Sequence, residues 1–182
     1  MGMAASIPYY TVEDLERFPD DGNRYELLDG VLLVTPAPNA EHQLIAAMLI
    51  ARLLVAVEPL GVARVVGPGA IACPPRTQLE PDVLVYPRRF PRGTPWSQIT
   101  EHWLAVEIYS PSSRIYDREF KRAAYVDLGV REIWLVDADA QTVEVCRAIG
   151  TSQVVRDRVT WAVPETNHHV VIELAGLFED AL

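Results

Sequence analysis

The sequence predicts an α/β chain of the α+β-like kind, a mixed β-sheet flanked by helices. Short β-branched runs recur along the chain, two helix-period segments interrupt them, and Gly and Pro punctuation separates the pieces. The first element is a helix over 12–18, where the Thr11 hydroxyl and the early carboxylates Glu13 and Asp14 suit a helix start. Arg24-Tyr25-Glu26-Leu27-Leu28 and Val31-Leu32-Leu33-Val34 flank Asp29-Gly30, which predicts a β-hairpin with a two-residue turn.

After the breaker at 36–39, residues 40–58 place Leu44, Ala47, Met48, Ala51, Leu54 and Val55 on helical spacing. They read as the core face of a long, mostly buried helix that Gly61 follows. Strands are expected at 62–66, 69–73 and 82–86, a loop at 88–100, and a strand at 102–110. Tyr116 to Leu128 reads as a second helix stopped by Gly129. Residues 133–136 and 142–146 continue the strand series, and 154–155, 159–163 and 170–174 are expected as edge strands.

With 182 residues, 49% of them apolar, the chain suits one domain over 1–182 with a sizeable core. No stretch reads as a membrane span or a secretory signal, so the expectation is a soluble, cytoplasmic protein without membrane partners. Cys73 and Cys146 are expected as small buried hydrophobes in a reducing compartment. The formal net charge of −9 counts against a protein that wraps nucleic acid over a broad surface, and a nuclease must have its arginines clustered locally. No Gly-rich phosphate loop, nucleophile elbow or zinc-ligand spacing is present, which removes the corresponding enzyme and finger classes.

The anomaly is Glu107, inside the apolar run Trp103-Leu104-Ala105-Val106-Glu107-Ile108-Tyr109. An unpaired carboxylate there would cost at least several kcal/mol, so it needs a cation, a proton or water. Asp82 opens another apolar strand directly after Pro81, a place that suits a ligand site and equally a turn. Glu26 lies mid-strand in the hairpin, on a face that is either solvated or part of a site. Lys121 is the chain's one lysine beside fifteen arginines. A compact ammonium suits positioning a water or stabilising a phosphate oxygen, and equally an i,i+4 pair with Asp117 on a helix surface. Three acids and a lysine together are what metal-assisted phosphodiester hydrolysis requires, with carboxylates holding Mg²⁺ or Mn²⁺.

At these same residues the chain resembles a known family. Tyr25-Glu26-Leu27-Leu28-Asp29-Gly30, Pro81-Asp82, the run from Val106 to Arg114, Asp117-Arg118, Lys121, Tyr125, Gly129-Val130 and Trp134-Leu135-Val136-Asp137 are similar to the Uma-type restriction-endonuclease family. That family belongs to the PD-(D/E)xK nuclease-like superfamily, so the resemblance implies a restriction-endonuclease-like core. It also implies Asp82 and Glu107 as metal carboxylates, Glu26 as the early acid and DNA as substrate; a homodimer is expected, since cutting a duplex commonly uses two related sites. The superfamily pattern has a lysine two residues beyond the second acid. Tyr109 stands there, so Lys121 on the following helix is expected to supply the charge.

His42 opens the long helix and could approach the hairpin acid, or simply cap or face solvent. Arg88, Arg89 and Arg92, and again Arg114, Arg118 and Arg122, form basic clusters that could meet phosphates or merely be solvated. His168-His169 reads as solvated, and the four tryptophans as packing residues. Two other readings stay open: a non-catalytic interaction protein with the same fold, and a hydrolase of RNA or another phosphodiester.

Overall fold

The computed structural model describes residues 9–109, 120–148 and 150–179. The first helix, α1 (Val12–Leu15), is shorter than the predicted 12–18. Its start is as expected, since the Asp14 carboxylate accepts from both the Thr11 amide and hydroxyl at 2.8 Å. Beyond Leu15 the chain tightens into turns, with the Arg17 and Phe18 amides donating to the Asp14 and Leu15 carbonyls, before Pro19 ends it. The hairpin of β1 (Arg24–Leu28) and β2 (Val31–Thr35) closes at the Leu28 to Val31 pair. Asp29 and Gly30 take φ of 51° and 82°, the doubly left-handed turn that matches strand twist.

The long helix α2 (Ala40–Val57) starts at Asn39, whose side chain accepts from the His42 amide. Its buried face is His42, Ile45, Ala46, Leu49, Leu53 and Val57. The stripe that the periodicity favoured faces outward instead, with Leu44 48% and Val55 78% exposed. The helix is apolar nearly all round, so spacing alone fits either face. It is also, together with residues to Leu60, long and apolar enough to cross a membrane by length and composition, contrary to the expectation that no stretch is.

The strands β3 (Ala63–Val66), β4 (Ile71–Cys73), β5 (Thr77–Leu79), β6 (Val83–Pro87) and β7 (Leu104–Ile108) follow. Of these β5 was not foreseen, because its three residues directly follow Pro74-Pro75-Arg76. Next come α3 (Arg122–Asp127), β8 (Ile133–Asp137), β9 (Thr142–Ala148), β10 (Thr151–Val155), β11 (Arg158–Ala162), β12 (His169–Glu173) and a short closing helix α4 (Ala175–Glu179). The part of the second predicted helix before Phe120 lies outside the described residues.

The main sheet runs β10-β9-β8-β7-β6-β3, antiparallel except for the β7–β8 pair. A smaller antiparallel sheet runs β2-β1-β5-β4. β10 is an edge strand as expected, whereas β11 and β12 pair with each other as a separate ribbon. Alternation along the central strands sends side chains to both faces, and each face is covered. Val83, Val85, Leu104, Val106 and Trp134 pack with α2, the ribbon and α4. Leu84, Ala105, Ile133 and Leu135 pack with Tyr125 of α3 and with Ile71 and Leu79 of the small sheet. Cys146 is buried as expected, while Cys73 is exposed at the end of β4.

Candidate active site

Glu107 belongs to the second of these faces, because it follows Ala105 by two on β7. Carrying the antiparallel register Val83↔Val106 one step further sets Asp82 opposite Glu107, on the same face. The two strands thus bring residues 25 apart in sequence side by side. Asp82 is fastened there by the Ile108 amide, which donates to its Oδ2 at 2.8 Å.

The hairpin supplies the third acid. Glu26 is fully buried on β1, and its Oε1 accepts from the Glu80 amide at 2.7 Å, just ahead of Pro81-Asp82. Lys121, at the start of α3, reaches between Glu26 Oε2 at 2.7 Å and Glu107 Oε1 at 3.3 Å. The Tyr125 hydroxyl, one helical turn on, donates to the same Glu107 oxygen. With 3% exposure Lys121 is no surface residue, and its ammonium meets Glu107 without any lysine at position 109. Asp117, the other partner considered for it, lies outside the described residues.

Two further groups complete the cluster around Asp82. Arg24, two residues before Glu26 and so on the same strand face, donates from Nη2 to Asp82 Oδ1 at 2.9 Å and from Nη1 to the Glu80 carbonyl. His42 Nε2 lies 3.1 Å from Asp82 Oδ2, so the histidine meets this acid and not the hairpin acid Glu26. Burial acts to raise the Asp82 carboxyl. The His42 hydrogen bond, the Arg24 charge and the Ile108 amide outweigh it and hold the pKa below the ordinary value. Arg24 is likewise opposed by burial yet held protonated by Asp82, Glu107 and Glu26. Glu80 is pushed up, first by burial and then by the Glu26 charge.

A cleft of about 530 Å³ opens onto this cluster, lined by Arg24, His42, Glu80 and Asp82 with Asn23 and Gln43 at its sides. Its wall at Gly67 is tight: a Cβ there would stand 2.5 Å from the Asp82 carbonyl oxygen.

The donor chemistry suits a hard cation. The oxygens are carboxylates, and among the described residues Glu26, Glu80, Asp82 and Glu107 stand with the positive side chains Arg24 and Lys121. Among the described residues no three His, Cys, Asp or Glu side chains stand close enough to hold one ion. The three acids therefore converge on the two basic side chains, and the pair Asp82 and Glu107 remains as the candidate ligand set. Two carboxylates with water completing the shell is an ordinary arrangement for Mg²⁺.

The sequence reading missed Arg24 and Glu80. Period-two alternation from Glu26 points to the first, and adjacency to Pro81-Asp82 to the second. The basic clusters fare differently. Arg88 pairs with Glu58, Arg89 with Glu101 and Glu165, and Arg122 with Glu144, while Arg92 is exposed. Arg114 and Arg118 lie outside the described residues. His168 and His169 are exposed, and Trp103, Trp134 and Trp161 are buried packing residues.

The sequence profile of the Uma2 family, described as "Putative restriction endonuclease", matches residues 12–175. No curated protein matches the chain. Among solved structures, a chain described as a putative nuclease belonging to DUF820, from Anabaena variabilis ATCC 29413, superposes with a TM-score of 0.73 at 22% identity. The match covers 94% of this chain and 99% of that one, and it shows a common fold.

Proposed function

The chain belongs to the Uma2 family, and from that premise we propose that it is an endonuclease that hydrolyses DNA phosphodiester bonds with Mg²⁺ or Mn²⁺ held by Asp82 and Glu107. The observation that carries the reading is the buried Lys121 ammonium between Glu26 and Glu107, on the strand face that Asp82 shares. When bound, the ion supplies Lewis acidity at the scissile phosphate and lowers the pKa of a coordinated water.

The chain's own groups divide the remaining work. Glu26 and Tyr125 fix Lys121 and Glu107 in place from two sides. The Lys121 ammonium orients the attacking water and stabilises charge that develops on the phosphate oxygens. Arg24, at the cleft and partly exposed, offers a planar donor fork to a phosphate. The protein acts in the cytoplasm as a homodimer, in which two related sites face the two strands of a duplex, and sedimentation of the purified chain gives its mass.

Plasmid cleavage with Mg²⁺ or Mn²⁺ tests the assignment. Asp82→Ala and Glu107→Ala are each expected to lower the rate by about 10²-fold or more, the scale on which single charge-stabilising groups act. Metal-dependent cleavage that survives both substitutions would refute the site, and competition with RNA distinguishes the sugar. The net charge of −9 and the acid-paired Arg88, Arg89 and Arg122 favour a second reading, a non-catalytic binding protein on the same fold. Absence of cleavage with any divalent ion would support it.

A further inference from the structure

We propose that His42 is a positioning residue for Asp82, one that commits the carboxylate to bind a divalent cation through a single oxygen. The inference rests on the metal-site reading above and deepens it. Asp82 Oδ2 takes two donors, the Ile108 amide at 2.8 Å and His42 Nε2 at 3.1 Å. Among the described residues Oδ1 takes only Arg24 Nη2, at 2.9 Å, from a side chain that also lines the cleft. With Oδ2 engaged from the strand side and the helix side, Oδ1 is the oxygen left for a cation, which would share it with Arg24 or displace Arg24.

The geometry of His42 fits this task. It sits in the first turn of α2, where Asn39 caps its backbone amide, and α2 is anchored by its buried face on the main sheet. The imidazole is nine-tenths buried, so its ring has little freedom to leave Asp82. Because Nε2 faces a carboxylate, Nε2 carries the proton. Nδ1 has no hydrogen-bond partner among the described residues. Hydrogen bonds of this kind to a ligating carboxylate typically govern metal affinity by tenfold to a hundredfold.

The test is calorimetric titration of Mn²⁺ into the purified, metal-free protein, so that no catalytic turnover is needed. His42→Ala is expected to weaken Mn²⁺ binding by about 10- to 100-fold. His42→Gln places an amide N–H where Nε2 stood and is expected to restore affinity to within a few-fold of the parent. His42→Asn, whose shorter amide mimics the other ring nitrogen, is not. Thermal melts without metal identify the folded variants. If His42→Ala does not fold, the contrast of Gln with Asn carries the result. Equal Mn²⁺ affinity in the parent and all folded variants overturns the role of His42, and so does a Gln variant as weak as Asn. A parent chain that takes up no Mn²⁺ overturns the metal site itself, a different failure from the first.

Discussion

Asp82 keeps its charge in a place where burial alone would favour the protonated acid. The donors that prevent it come from three elements, Arg24 of β1, His42 of α2 and the Ile108 amide of β7. Because its folded pKa is depressed, Asp82 contributes stability that is present above the unfolded value near 3.9 and lost as pH falls through the folded value. Arg24→Gln removes one of these supports while leaving the carboxylate buried. The expected cost is about 2 kcal/mol at neutral pH, read by urea unfolding. Added Mn²⁺ should raise the melting temperature of this variant more than that of the parent, since the ion replaces the lost charge. An unchanged metal-free stability would show that Arg24 is dispensable to Asp82. At this scale the sequence made Glu107 conspicuous because an acid in an apolar run violates the strand pattern. It left Asp82 and Lys121 ambiguous, because proline-flanked acids and helix lysines have common structural uses.

At the scale of elements, the hairpin and the central strands were legible because their signals are local: a turn that demands φ above zero, and β-branched runs between breakers. The buried face of α2 was not. Ile45, Leu49 and Leu53 follow the same spacing rule as Leu44, Met48 and Val55, so only the sheet beneath decides between them. Leu49→Ala is expected to cost about 2–5 kcal/mol by chemical denaturation, as core truncations do. Val55→Glu should change stability by no more than about 0.5 kcal/mol. The reverse order would mean that the helix is rotated relative to the sheet. β5 escaped notice because three residues are too few to display a period, yet it joins β1 to the segment that carries Asp82.

Across the whole molecule, His102 is a buried titratable group that stands outside the candidate site and has no ion pair among the described residues. His102, just before β7, is 3% exposed, and burial pulls its pKa down to about 4. Between that value and the unfolded value near 6.5 the unfolded chain binds the extra proton. Stability therefore rises with pH across this window and is lost as pH falls from about 6.5 toward 4, by up to about tenfold in the folding equilibrium per pH unit. Melting curves from pH 7 to 4 should show the decline, and His102→Phe should flatten it. An identical pH profile in the variant would assign the decline to other groups.

The sequence by itself determined the hairpin, the strand series apart from β5, the existence of α2 and the four chemically odd residues, Glu26, Asp82, Glu107 and Lys121. Each follows from local backbone preference or from the cost of a charge among apolar neighbours, both of which can be read within a few positions. The tertiary structure alone decided which face of α2 is buried, which acid His42 meets, and that Arg24 and Lys121 occupy the space between the carboxylates. Those outcomes depend on strand register and on packing between segments tens of residues apart, and no local pattern encodes the distance between two side chains that only the folded sheet brings together.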